Sequence, residues 1–195
     1  MSISHECTIK LPAWVESWVR EQPSGLSGSE AGMAFAIALA RENVRRGTGG
    51  PFGAAVIDSA DGELISVGVN LVTSSGISLA HAEMVAISLA QHKLESWNLA
   101  NEGSFTLVTT CEPCAMCFGA VPWSGVRKLV CGADKSDAQA AGFDEGDKPL
   151  NWEQSLRERE IEVETGVLRE DAATIFRLYR EAGGVIYNSG SGETG

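Results

Sequence analysis

The amino-acid sequence predicts an α/β fold in which a sheet of about five strands is packed against helices. The chain has 195 residues, 44% of them hydrophobic, which is enough for one compact core and too little for two comfortable domains. Segments with helical apolar spacing and short β-prone segments both occur along it. We therefore expect one domain over residues 1–195, with residues 1–28 as an N-terminal extension and residues 188–195 as a flexible tail.

The helical segments are recognised by apolar residues three and four positions apart. In the first of them, Leu11, Trp14 and Trp18 share one apolar face. Ser29 precedes the second as the expected N-cap, and glycines after residue 46 are the expected stop. The predicted helices are residues 11–20, 30–46, 81–94, 113–121, 151–160 and 170–183.

The strands are predicted from β-prone apolar runs bounded by turn residues. Two runs are separated by "SADG", whose Asp-Gly pair indicates a hairpin. The predicted strands are residues 52–58, 63–70, 104–110, 126–133 and 161–165. Residues 133–150 contain Gly, Asp and Pro without periodicity, so we expect a long loop there that forms a lid or a pocket wall.

The charge pattern favours a small neutral substrate over nucleic acid. The formal net charge is -11, which would repel a phosphate backbone. The cluster of Arg41, Arg45 and Arg46 fits the solvated end of a helix. No apolar run approaches the roughly 18 residues that a membrane span requires, and residues 1–10 lack the features of a secretion signal. We expect a cytoplasmic protein that binds neither nucleic acid nor membranes.

Three of the five cysteines lie at three-residue intervals in "TTCEPCAMCFG". Such clustering indicates metal or redox chemistry rather than a disulfide framework. Zinc prefers about four ligands, and a catalytic zinc keeps one position open for water. Cys114 and Cys117 lie one helical turn apart, and His81 supplies an imidazole, so these three residues are the predicted ligands.

Glu83 follows His81 by two residues in "LAHAEMVAIS". Within a helix the two side chains would diverge, but at its first turn both reach a metal beyond the N-terminus. Zinc would activate a water molecule as the nucleophile, and Glu83 would shuttle its proton. The alternatives are a redox Cys-x-x-Cys pair and a structural zinc site closed by Cys111 as a fourth ligand, which would make the protein a non-enzymatic interaction module.

"HAE" followed by "PCAMC" is the signature of zinc-dependent nucleobase deaminases. In these residues, and in the order of its elements, the sequence resembles the cytidine deaminase-like superfamily over roughly residues 30–185. The resemblance implies a three-layer α/β/α sandwich with a mixed central sheet. It also implies one zinc ion per chain.

Within the superfamily the sequence is similar to short bacterial guanine deaminases in "GGPFGA", "CEPCAMCFGA" and "SDAQAAGFDE". This similarity implies a hydrolase of purine metabolism that converts guanine to xanthine and ammonia. Cytosine, adenine and aminotriazines remain alternative substrates. A tRNA adenosine deaminase, which shares the zinc motifs, is a further alternative that the acidic charge disfavours.

The resemblance also implies roles for residues outside the zinc motifs. Asn70 would hydrogen-bond the purine edge, Phe52 and Trp123 would flank the base, and Ala82 would contact the substrate. Glu145, where the family more usually has aspartate, would bind guanine or assist proton delivery to the amine. Without the resemblance, Asn70 reads as a turn residue, Phe52 and Trp123 as core and Glu145 as a solvated acid.

The family is also commonly a homodimer, in some members with exchanged C-terminal segments. The final helix and Tyr187 are the parts of this chain that could take part in such an exchange. The small-molecule nucleobase and a second copy of the chain are thus the expected partners.

Overall fold

A mixed five-stranded sheet forms the centre of the protein in the computed structural model, which describes residue 3 and residues 5–188. The strand order is β2-β1-β3-β4-β5. Strand β1 is antiparallel to β2 and β3, whereas β3, β4 and β5 run parallel. The strands are β1 (Gly53–Asp58), β2 (Leu64–Val69), β3 (Phe105–Cys111), β4 (Lys128–Ala133) and β5 (Glu162–Glu164). Every predicted strand is therefore present.

Helices occupy the connections between the strands. All six predicted helices form, with ends that differ by a few residues from those expected. The α-helices are α1 (Trp14–Arg20), α2 (Ser29–Arg45), α3 (Val72–Ser75), α4 (Ala82–Lys93), α5 (Ala115–Ser124), α6 (Lys135–Ala140), α7 (Trp152–Arg157) and α8 (Arg169–Glu181), and a 3-10 turn spans Leu99–Asn101. No helix in the described part of the chain is long and apolar enough to cross a membrane.

Alternate residues of each strand enter two separate cores, one on each face of the sheet. Ala55, Val108 and Val130 belong to the core that contains apolar residues of α2 and α8. The neighbouring positions Leu107 and Leu129 belong to the core formed with α4, α5 and α7. The fold is therefore the expected three-layer α/β/α sandwich.

Helix α4 lies directly on strand β2 because β2 contains a glycine at the contact. A Cβ atom at Gly68 would lie 2.0 Å from the carbonyl oxygen of Ala82 and 2.6 Å from the backbone nitrogen of Ala86. Only a residue without a side chain permits this approach. The start of α4, with His81 and Glu83, is thus fixed against the sheet.

Three local predictions are wrong or incomplete. Ser29 is the first residue of α2 rather than its cap, and its hydroxyl donates to Glu164 instead of capping the helix. The region 133–150 is not a continuous loop, because Asp134 and Asp137 form a capping box that starts α6. Helix α3 lies between β2 and α4, where no helix was predicted. Residues 189–195 of the predicted tail lie outside the described residues.

Candidate active site

Two helix starts bring the residues of the two sequence motifs together. His81 occupies the N-cap position of α4 in an extended conformation, and Glu83 lies in the first turn. Cys114 occupies the same position on α5, also extended, and Cys117 lies in the first turn of that helix. The helix starts bring together residues 33 positions apart in the chain, as the contact of Cys114 with His81 shows. The predicted geometry at the first turn of α4 is therefore present.

The donor atoms of His81, Cys114 and Cys117 converge on one point. The Sγ atoms of Cys114 and Cys117 each lie 3.5 Å from Nδ1 of His81. The three ligand atoms all lie within 4.8 Å of one another. Tetrahedral zinc, with bonds of about 2.0 Å to nitrogen and about 2.3 Å to sulfur, separates such atoms by about 3.5 Å. The residues therefore fit a zinc ion and supply three of its four positions.

Cys111 does not join this group. Its thiol donates to the carbonyl oxygen of Asp134 at 3.6 Å, and it is absent from the three-residue donor cluster of the described chain. Burial raises the pKa of the Cys111 thiol well above its usual range, which disfavours the thiolate that binds metal. The arrangement is that of an open zinc site rather than a closed structural one.

The pKa values of the three candidate ligands are shifted in different directions. The hydrogen bond with Cys117 is the main cause that lowers the pKa of Cys114 to about 4. The same bond raises the pKa of Cys117 well above its usual value. Burial opposes protonation of His81, but its hydrogen bond with Cys114 and the charge of Glu83 outweigh burial, so the pKa is raised. Because bound zinc takes thiolate and neutral imidazole, its binding would release these protons.

Two buried carboxyl groups face this centre from different elements. Glu83 is 6% exposed and Glu145 is 5% exposed. Burial and the charge of Cys114 raise the pKa of Glu83. Burial, followed by the charges of Cys114 and Glu83, raises the pKa of Glu145 to about 8. Glu145 is therefore mostly protonated at neutral pH, where an exposed glutamate would be ionised.

A cavity opens beside the candidate metal ligands. It is bounded by acidic, aromatic and metal-ligating side chains from several elements. Its lining residues are Phe52, His81, Glu83, Glu112, Cys114, Phe143, Asp144, Glu145, Tyr187 and Asn188. An aromatic wall together with carboxyl groups beside the metal ligands suits a flat ring that carries N–H donors.

The aromatic wall includes residues that the sequence analysis did not assign to the cavity. Phe143 packs edge-on against Phe52, with ring centroids 5.0 Å apart, and Tyr187 contacts Phe143 at 5.4 Å. The Tyr187 ring also lies 6.4 Å from that of His81, so Tyr187 and Asn188 line the site of their own chain. Its hydroxyl is buried without a hydrogen-bond partner among the described residues. The aromatic residue inside "AGFDE" was the available signal for Phe143.

Three residues expected at the substrate do not line this cavity. Asn70 is 1% exposed at the end of β2, where its Oδ1 accepts a hydrogen bond of 3.2 Å from the backbone of Val72. Ala82 is fully buried at the start of α4. Trp123 is 81% exposed near the end of α5. Of the aromatic pair expected to flank a base, only Phe52 lies at the cavity of the single chain.

A family model described as the cytidine and deoxycytidylate deaminase zinc-binding region matches residues 27–133. Guanine deaminase of Bacillus subtilis is 43% identical over 110 residues, which cover 56% of this chain and 67% of that protein. The tRNA-specific adenosine deaminase of the same bacterium is 37% identical over 130 residues, which cover 66% of this chain and 74% of that protein.

A solved structure of guanine deaminase from Nitrosomonas europaea superposes with a TM-score of 0.85. It is 43% identical and covers 93% of this chain and 100% of that chain. The superposition confirms the fold class, and the family match covers both zinc motifs. The chain belongs to the family defined by the cytidine and deoxycytidylate deaminase zinc-binding region, and it is a zinc-dependent deaminase.

Proposed function

We propose that this protein hydrolyses guanine to xanthine and ammonia. The observation that carries the proposal is the convergence of His81, Cys114 and Cys117 beside a cavity into which Glu83 also faces. The similarity to two bacterial guanine deaminases supports guanine as the base. The reaction consumes one water molecule and exchanges the amino group of the purine for oxygen.

When bound, zinc supplies a water molecule whose pKa is lowered towards about 7. Glu83, buried beside the metal ligands, would take a proton from the attacking water and pass it to the ring nitrogen beside the amino-bearing carbon. Its place at the first turn of α4 keeps the carboxyl group close to the metal ligands throughout. Burial, which raises the pKa of Glu83, strengthens it as a proton acceptor.

Glu145 is proposed to deliver a proton to the departing amine. A carboxyl group with a pKa of about 8 is mostly protonated at neutral pH and can act as an acid. The cavity places it among the residues beside the metal site. Ammonia leaves more readily than an amide anion, so this proton lowers the barrier to product formation.

The substrate ring is proposed to lie against the aromatic wall of Phe52 and Phe143. Asn70 lies beside the wall, since a Cβ atom at Gly50 would lie 2.8 Å from Asn70 Oδ1 and 2.7 Å from the Tyr187 hydroxyl. A small rotation of its amide would present donor and acceptor atoms to a purine edge. Ala82 would contribute backbone contacts at the start of α4. Trp123 would require a second subunit to approach a base.

The proposal extends to the expected homodimer, to a cytoplasmic location, to a part in purine metabolism and to a single domain over residues 1–195. The dimer and the location rest on the resemblance to the family. The C-terminal residues Tyr187 and Asn188 line the cavity of their own chain, and exchange of this segment with a second subunit is part of the proposal.

The test is ammonia release by the zinc-loaded protein with guanine, adenine, cytosine and tRNA supplied separately. Glu83→Gln, which keeps the size of the side chain, is the control for contaminating activity. We expect conversion of guanine to xanthine that is lost in the control. Preference for tRNA would instead favour the adenosine deaminases, to which the chain is also similar. Turnover of another free base would retain the mechanism and reject the substrate.

A further inference from the structure

Lys148 carries a buried ammonium group close to the metal ligands. Its side chain is 3% exposed, although lysine is almost never fully buried without a partner. Its Nζ donates to the carboxylate of Glu112 at 3.2 Å and to the carbonyl oxygen of Pro113 at 3.0 Å. The ammonium group also lies 4.1 Å from the ring centroid of Trp152. These contacts replace the water that burial removes.

The contacts of Lys148 fasten one side of Cys114 to the loop that carries Glu145. Pro113 directly precedes the metal ligand, and its carbonyl oxygen accepts from Lys148. On the other side of Cys114, the backbone N–H of Ala115 donates to the carbonyl oxygen of Glu145 at 2.9 Å. The loop and the ligand-bearing segment are thus joined on both sides of Cys114.

Close packing accompanies these hydrogen bonds. A Cβ atom at Gly146, which has a φ of +66°, would lie 3.0 Å from the Cβ atom of Ala115. A second lysine, Lys135, donates to the carbonyl oxygen of Gly146 at 3.1 Å from the exposed surface. Lys135 thus contacts this loop on its solvent side, whereas Lys148 joins the loop to the segment that carries Cys114.

We propose that Lys148 is a positioning residue for the deamination reaction, which fixes the distance between Glu145 and the departing amine of the substrate by joining its loop to Pro113. This inference rests on the proposed function and adds a determinant of rate to it. A misplaced acid loses much of its effect, because proton transfer requires hydrogen-bond reach. The competing interpretation is that Lys148 only neutralises the partly buried carboxylate of Glu112.

A matched pair of variants distinguishes the two interpretations. Lys148→Met alone would leave Glu112 buried without its cationic partner and is expected to unfold more readily. The double variant Lys148→Met/Glu112→Gln removes that unpaired charge, and Glu112→Gln alone is its reference. The pair differs only at residue 148 and contains no unpaired carboxylate, so its comparison reports the loss of the ammonium contacts, including those with Pro113 and Trp152. Lys135→Met is the control for an exposed lysine on the same loop.

We expect kcat for guanine to fall at least tenfold from Glu112→Gln to the double variant, with KM changed less than threefold and zinc content unchanged. Hydrogen exchange in residues 143–150 should be faster in the double variant. The kcat of Lys135→Met should stay within twofold of that of the unmodified protein. Equal kcat values in the pair, or a loss of kcat matched by a loss of zinc, would overturn the proposal.

The exchange measurement does not depend on the substrate. If the unmodified protein converts no base, the proposed function fails, and unchanged exchange in residues 143–150 would then show separately that Lys148 does not hold the loop. If the protein converts guanine and the pair behaves alike, only the role of Lys148 is wrong.

Discussion

The carbonyl oxygen of Ala82 approaches Gly68 so closely that a methyl group on this glycine would lie 2.0 Å from it. Because Ala82 lies between His81 and Glu83, this contact fixes the distance of both residues from the sheet. The position of the reactive groups thus depends on a residue in the neighbouring strand that has no functional group of its own.

Gly68→Ala should therefore displace α4 and destabilise the protein. Overpacking of this kind costs about 1–3 kcal/mol or more, because backbone atoms on both sides cannot move independently. Urea unfolding would measure the change. Gly119→Ala in α5 is the matched control, since a Cβ atom there meets nothing within 4 Å and alanine favours a helix by about 1 kcal/mol. Equal stabilities of the two variants would contradict the packing argument.

Removing a metal ligand should abolish both zinc retention and turnover. Cys114→Ser should reduce the zinc content to less than a tenth of that of the unmodified protein after dialysis. Metal analysis measures this directly. Cys111→Ala should keep its zinc, because the Cys111 thiol contacts Asp134 instead of joining the ligand cluster. Loss of zinc from Cys111→Ala would favour the closed structural site.

Loss of the proton from Glu145 should make kcat decline at high pH, which gives the pH–rate profile a basic limb. The Glu145 pKa of about 8 means that the acid form is lost as the pH rises through that value. We expect kcat to decline above about pH 8 and expect Glu145→Gln to lower kcat about 100-fold and to remove that limb. Glu145→Asp, which retains a carboxyl group, should lose less. A basic limb that persists in Glu145→Gln would assign it to another group.

The same group should make the stability of the metal-free protein depend on pH. The unfolded chain has an ordinary glutamate pKa, so the folded state binds the proton more tightly. Deprotonation therefore favours unfolding, and the free energy of unfolding should fall as the pH rises towards 8. Denaturation of the unmodified protein and of Glu145→Gln at several pH values tests this. The free energy of unfolding should depend less on pH in Glu145→Gln.

Two tyrosines offer a matched test of hydrogen bonding. The buried hydroxyl of Tyr187 has no partner among the described residues, whereas the Tyr179 hydroxyl donates to the carbonyl oxygen of Val185 at 2.8 Å. Tyr179→Phe should lower the free energy of unfolding by about 1 kcal/mol, and Tyr187→Phe should leave it unchanged or raise it. A higher KM for guanine in Tyr187→Phe would show that the substrate supplies the missing partner.

The sequence allowed the strand and helix pattern and the metal ligands to be predicted because these depend on local signals. Three ligands and Glu83 fall within two short motifs, and each motif lies at one helix start. Lys148 and Tyr187 come to the site through tertiary contacts that no spacing encodes. Helix α6 was missed because the capping box of Asp134 was not recognised in the polar region.

The substrate contacts were the least predictable part of the site. Phe52 lies in the cavity, but Trp123 is 81% exposed on the single chain. An aromatic residue in a sequence gives no indication of whether it enters a core, a cavity or a subunit contact. Phe52 in fact does both, since it packs against the core and also lines the cavity.

The placement of His81 and Cys114, 33 positions apart, has a thermodynamic consequence. A metal held by both is a reversible cross-link across the intervening polypeptide, which contains part of the central sheet. By the chain-entropy relation used for covalent cross-links, closing a loop of that length lowers the conformational entropy of a metal-bound unfolded chain. The loss is equivalent to about 4 kcal/mol of free energy. The availability of zinc should therefore govern how long the folded protein survives, as well as how fast it turns over substrate.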